Sequence, residues 1–164
     1  MTATEAHANV GRPRLLYSLT EAAAEKFPTK YLRFTDRLLD EMKSALTSPM
    51  LEKIFAAMAH DIAADHAARL QGKSLDEKLT VLVGVLGEEG FMAEWNKVGE
   101  SYHLTEYNCP YFIIGQRHPE VCTIDQTLIS KMLSRPVAKS TCLLNGDPRC
   151  VFVIGEAELT QVEG

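Results

Sequence analysis

Cys109, Cys122, Cys142 and Cys150 are the only cysteines of a 164-residue chain, and the first 108 residues contain none. Confining all four to a 42-residue span points to one site where several sulfurs converge. Thiols at such a site serve as nucleophiles, as redox pairs or as soft ligands for zinc and iron. The stretch from Met1 to Val10 is small and polar, without the apolar run of a signal peptide. Extracellular disulfides are therefore a poor expectation, and a metal or cluster site is a better one. The spacing is Cys-x12-Cys-x19-Cys-x7-Cys. Structural zinc sites usually draw on tight Cys-x2-Cys knuckles, which this chain lacks, whereas iron–sulfur clusters accept thiolates delivered singly from separate turns. Inert packing stays open for at least one of the four, because free cysteine is among the most buried residue types.

No other group of residues assembles a catalytic set, and the chain is expected not to be an enzyme. Gly84-x-x-Gly87-x-x-Gly90 lacks the Lys-Ser/Thr of a phosphate loop and closes a helical pattern instead of opening one. His60 and His66 are six residues apart, wrong for one helical face, and Glu88-Glu89 reads as a solvated helix end. A net charge of −5, from 17 basic and 22 acidic residues, argues against nucleic acid binding by the whole surface. No apolar run approaches the roughly 20 residues needed to span a bilayer, so a cytoplasmic location with reduced thiols is expected.

The elements that must position the cysteines are α+β: an N-terminal helical arm followed by a small four-stranded antiparallel sheet with helices. Residues 1–11 read as a disordered lead-in, 15–19 as a short strand and 20–26 as a short helix stopped by Phe27-Pro28. Apolar periodicity predicts a helix over 29–46, with Leu32, Leu39, Met42 and Leu46 near one stripe. A second helix is expected to restart with Ser48 as N-cap and Pro49 at its first position, carrying Leu51, Ile54, Phe55, Met58 and Ile62 to near Gln71-Gly72. Ser74 and Glu77 form a capping box for a helix bearing Leu75, Leu79, Leu82, Val83 and Leu86. Past Gly90, residues 91–98 and 102–107 read as a hairpin, and 111–117 as one or two helical turns. Pro119 opens a helix with Val121, Ile124, Leu128 and Met132 on one face. A second hairpin, 136–144 with 149–154, is expected around Asn145-Gly146. Cys122 then falls in the first turn of a helix, where the dipole would favour its thiolate. Cys142 and Cys150 would face each other across the last hairpin, with Cys150 and Phe152 on one face and Cys142 and Leu144 on one face. Domain boundaries follow at 1–28, 29–89 and 90–164. The apolar stripes of the arm exceed what one small sheet can cover, so a homodimer is expected with Leu39 and Phe55 in its seam.

Tyr107-Asn-Cys-Pro-Tyr111, His118-Pro-Glu-Val-Cys-x-x-Asp125 and Asn145-Gly-Asp-Pro-Arg-Cys-Val-Phe152 together resemble the sensor half of SufR-type regulators, iron–sulfur-binding repressors of cluster biogenesis. The resemblance covers roughly residues 90–155. It implies that Cys109, Cys122 and Cys150 bind a [4Fe–4S] or [2Fe–2S] cluster. Cys142 departs from the plainest form of that pattern; it could complete a four-thiolate set across the hairpin, or His118 or Asp125 could bind the last iron. The segment Gly11-Arg-Pro-Arg-Leu-Leu-Tyr-Ser-Leu-Thr-Glu-Ala22 is similar to the wing and following helix of the winged helix in the same regulators, where Arg12 and Arg14 would touch phosphate weakly. Only ten residues precede Gly11, too few for a scaffold and a recognition helix, so DNA is expected to be reached only through a missing or separate helix-turn-helix. The closing Cys142-x3-Gly-Asp-x2-Cys-x-Phe152 is also similar to the end of vinyl-reductase-type ligand-binding domains, which would make the chain a small-molecule sensor with a structural zinc site. Haem at Cys109-Pro110 is a weaker alternative, since two residues match often by chance.

Overall fold

A computed structural model describes residues 30–155 and, as backbone, 2–6 and 14–18. The chain divides into two compact units, residues 1–37 and 38–164. In the first, β1 (Thr2–Ala6) pairs antiparallel with β2 (Arg14–Ser18), from Thr2 opposite Ser18 to Ala6 opposite Arg14. Residues 2–6 are thus strand where the sequence reads as a disordered lead-in. A lone strand has no ladder, and the alternating Thr2 and Thr4 supply a β-prone partner for Leu15–Tyr17. The helix expected over 20–26, and Arg12, lie outside the described residues.

The helices are α1 (Tyr31–Ala45), α2 (Ser48–Asp65), the single turn α3 (Ala67–Leu70), α4 (Leu75–Glu88), the short α5 (Phe112–Gly115) and α6 (Cys122–Leu133). The capping box at α4 is present: Ser74 Oγ accepts from the Glu77 N–H, and Glu77 Oε2 accepts from the Ser74 N–H at 2.8 Å. At α2 the N-cap is Thr47 in extended conformation, one residue earlier than expected, which leaves Ser48 and Pro49 as the first two helical residues. Proline is tolerated there because the first turn's N–H groups have no helical acceptor. The expected continuous helix to residue 70 is broken at His66. Among the described residues no helix is long and apolar enough to cross a membrane.

The sheet contains β3 (Ala93–Val98), β4 (Ser101–Glu106), β5 (Val137–Thr141) and β6 (Cys150–Ile154), all antiparallel, in the order β3-β4-β6-β5. Cross-strand partners share a face. The register therefore aligns Trp95, Leu104, Phe152 and Lys139 in one row, and Ala93, Glu106 and Cys150 in the next. The core joins Leu104, Phe152 and Ile154 of this face to Leu79, Leu82, Val85 and Leu86 of α4 and Ile124, Leu128, Ile129 and Met132 of α6. α2 packs along α6.

Two sequence expectations fail here for physical reasons. Leu39 and Phe55, assigned to a dimer seam, are buried in the core of the chain itself, while Met50, Ile54 and Met58 of α2 are exposed. The Asn145-Gly146 pair does not close a tight hairpin. The β5–β6 ladder stops at Thr141 opposite Val151, and a 3-10 turn over Leu143–Asn145 ends on Gly146 at φ +88°. Cys142 and Leu144 are therefore not neighbours on a strand face.

Candidate functional site

The ends of β4 and β5 and the start of β6 lie at the same end of the antiparallel sheet, so the cysteines beside them gather there. Cys109 sits in the turn leaving β4. That turn is tied to the approach to β3: the Tyr107 N–H donates to Met92 O at 2.9 Å, Asn108 Nδ2 donates to Gly90 O at 2.9 Å, and Asn108 Oδ1 accepts from the Met92 N–H. Cys122 is the first residue of α6. Cys142 follows β5, its N–H donating to Asp147 Oδ2 at 2.8 Å, and the Sγ of Cys150 accepts from the Leu143 N–H at 3.4 Å. The short α5 that follows Cys109 and the 3-10 turn that follows Cys142 approach closely at Gly115, where a Cβ would stand 2.8 Å from Leu144 Cδ1. A larger residue there would require the Leu144 side chain to shift.

All four cysteines are free thiols, and Cys142 and Cys150 are buried. Burial pushes the Cys109 thiol up to about 11, with the carboxyls of Asp125 and Glu106 adding to the rise. Cys122 is pushed up to about 12, mainly by burial, with Lys139 opposing and Asp125, Cys142 and Cys109 reinforcing. Cys150 likewise reaches about 12 through burial, and Cys142 and Glu106 add to it. The expected activation of Cys122 by the helix dipole is thus outweighed by desolvation. The thiols lie in one another's electrostatic field. Yet, among the described residues, no set of three His, Cys, Asp or Glu ligand atoms within 4.8 Å of one another includes a cysteine. In the metal-free protein at pH 7.5, Cys109, Cys122 and Cys150 are expected to alkylate about 100-fold or more slower than a free thiol, because a rise of two or more pK units empties the thiolate by that factor. Iodoacetamide kinetics by peptide mass spectrometry checks this. Rates like those of unfolded cysteine would show that the thiols are not buried as described.

The same face carries two charged residues that the sequence reading did not single out, Lys139 and Glu106, beside Asp125, which it did. Lys139 Nζ lies 3.2 Å from Asp125 Oδ2 and 4.8 Å from the centre of the Phe152 ring. The Asp125 side chain is buried, and its Oδ1 also accepts from the Gln126 N–H. Burial alone would push the Lys139 ammonium down, but Asp125 and Cys122 beside it hold it above its ordinary range. Glu106 is 0% exposed, and neither carboxyl oxygen has a hydrogen-bond partner. Burial, then the nearby Asp125, push its carboxyl up to about 9, with Lys139 opposing. Glu106 shares the inward face of Leu104, two residues earlier on β4, which only the strand register reveals. His118, named above as an alternative ligand, is buried, with Nε2 3.9 Å from Asp40 Oδ1. Arg14 is the first residue of β2, opposite Ala6.

No protein-family model matches this chain, and no curated protein matches it in sequence. Among solved structures its fold is similar to the phenol-responsive sensory domain of the transcription activator PoxR, solved with phenol. The TM-score is 0.52 at 12% identity, over 86% of this chain and 76% of that one. At this identity the likeness is one of fold.

Proposed function

We propose that the chain is the sensor portion of a transcriptional regulator of the SufR type, holding an iron–sulfur cluster through Cys109, Cys122 and Cys150, with Cys142 beside them. The observation that carries the reading is the gathering of four free thiols, from four separate segments, at one end of a helix–sheet interface. The donor set fits such a group. A tetrahedral zinc with bonds of ~2.3 Å needs sulfurs about 3.8 Å apart, whereas a cluster holds its thiolates on different irons and further apart. Among the described residues no three His, Cys, Asp or Glu donor atoms that include a sulfur lie within 4.8 Å of one another, which speaks against a preformed tetrahedral zinc site. A bound cluster would supply a centre sensitive to oxidant and to iron supply. The chain's part is to deliver thiols that lose their protons on loading and to exclude water around them. Cys109 and Cys142 sit in turns outside the sheet ladders.

Likeness to a regulator's sensory domain and the β1–β2 hairpin, comparable to a wing, support the regulatory setting. In this reading the chain is not an enzyme, is cytoplasmic, and meets DNA through a separate helix-turn-helix. Two copies pair through the exposed Met50, Ile54 and Met58 of α2. A second reading, a small-molecule sensor with a structural zinc site, is favoured by the phenol-responsive neighbour. Anaerobic purification separates them. A brown protein with broad absorption near about 400 nm, and with iron and acid-labile sulfide in comparable amounts, is expected. Colourless protein with stoichiometric zinc would overturn the cluster in favour of the second reading.

A further inference from the structure

We propose that Glu106 is an oxygen ligand to the bound cluster, holding the iron that Cys109, Cys122 and Cys150 leave unclaimed. This rests on the cluster reading above and replaces Cys142 in that one role.

Glu106 is the last residue of β4 and the direct cross-strand partner of Cys150, so the two side chains leave the sheet on the same face. Cys109 follows three residues later, in the turn leaving the same strand. The carboxyl is completely buried, and both of its oxygens lack a donor. An acceptor stripped of water without a partner costs about 1–3 kcal/mol or more, so such an arrangement calls for something else to satisfy it. Lys139, the buried cation on this face, is engaged with Asp125. Cys109, Cys142 and Cys150 all lie within electrostatic reach of the carboxyl. An iron between Glu106 and the sulfurs would satisfy the orphan oxygens. By contrast, Cys142 has its backbone fixed by Asp147 and sits in the irregular connection between β5 and β6. A carboxylate is a harder donor than a thiolate and holds this iron less firmly, which makes one corner of the cluster exchangeable.

The test uses the full chain, reconstituted anaerobically with 57Fe and sulfide, as wild type, Glu106→Gln and Cys142→Ser. Mössbauer spectra of the wild type should contain one iron subsite distinct from the thiolate-bound ones. Glu106→Gln should lose that subsite and shed one iron to a chelator about tenfold faster or more, with sulfide retained. Cys142→Ser should behave as wild type. A wild-type spectrum with only thiolate-type subsites would overturn the proposal even if Glu106→Gln fails to fold. So would unchanged iron release in Glu106→Gln together with loss of one iron in Cys142→Ser, which would return the role to Cys142 and leave the cluster reading intact. A wild type that takes up no iron and sulfide at all would remove both.

Discussion

Replacing Cys109, Cys122 or Cys150 with serine should each lower iron and sulfide content about tenfold or more after anaerobic reconstitution. A serine hydroxyl is a poor ligand for iron, and each of these sulfurs comes from a different segment, so no neighbour stands ready to take over. Cys142→Ser should retain most of its cluster if an oxygen ligand serves in its place. Iron and acid-labile sulfide assays check the series, and circular dichroism of the metal-free variants checks that the fold survives. Near-isosteric Cys→Ser changes at buried positions cost little packing volume, so the fold should persist. Full retention in the Cys109 or Cys150 variant would refute the assignment.

The metal-free protein should lose stability as pH rises from about 5 to about 9, by about 1 kcal/mol per pH unit from Glu106 alone. Its carboxyl titrates near 4.5 when solvated and near 9 in the fold. Between those values the folded form keeps a proton that the unfolded form has released. The unfolded state therefore binds fewer protons, and raising the pH favours it. The contribution is fully present below about 4.5 and lost once pH passes about 9. Glu106→Gln removes the titration and should flatten the difference. Urea unfolding at several pH values measures it in both proteins. Parallel pH profiles would mean that Glu106 is ionised or solvated in the fold.

Where local rules decide structure, the sequence was a good guide. Ser74 with Glu77 marked a helix start, and the runs 102–107 and 149–154 marked strands that the structure pairs. The cysteines were legible as a group because their type and confinement need no tertiary knowledge. Three features were not legible. Glu106 and Lys139 are charged residues that pattern reading assigns to solvent, and only their register beside Cys150 and Phe152 shows that they point inward. Asn145-Gly146 carries a tight-turn signal, but the connection is eight residues long and a 3-10 turn wins. Leu39 and Phe55 fit a helical stripe whether they face a second copy or their own core. Packing against partners elsewhere in the chain decided that.

The strand order β3-β4-β6-β5 puts the last strand in sequence between two earlier ones. Synthesis runs from the N-terminus, so β4 and β5 emerge without the strand that joins them, and a growing chain holds their inner edges open. Closure waits for Cys150–Ile154. That segment also brings Cys150, so nascent chains have neither a finished sheet nor the full set of four thiols. On the proposed cluster reading, loading is thereby confined to chains whose fold has already zipped shut. Pulse-labelled intermediates ending before residue 150 should be sensitive to protease across β4 and β5, and should capture no iron.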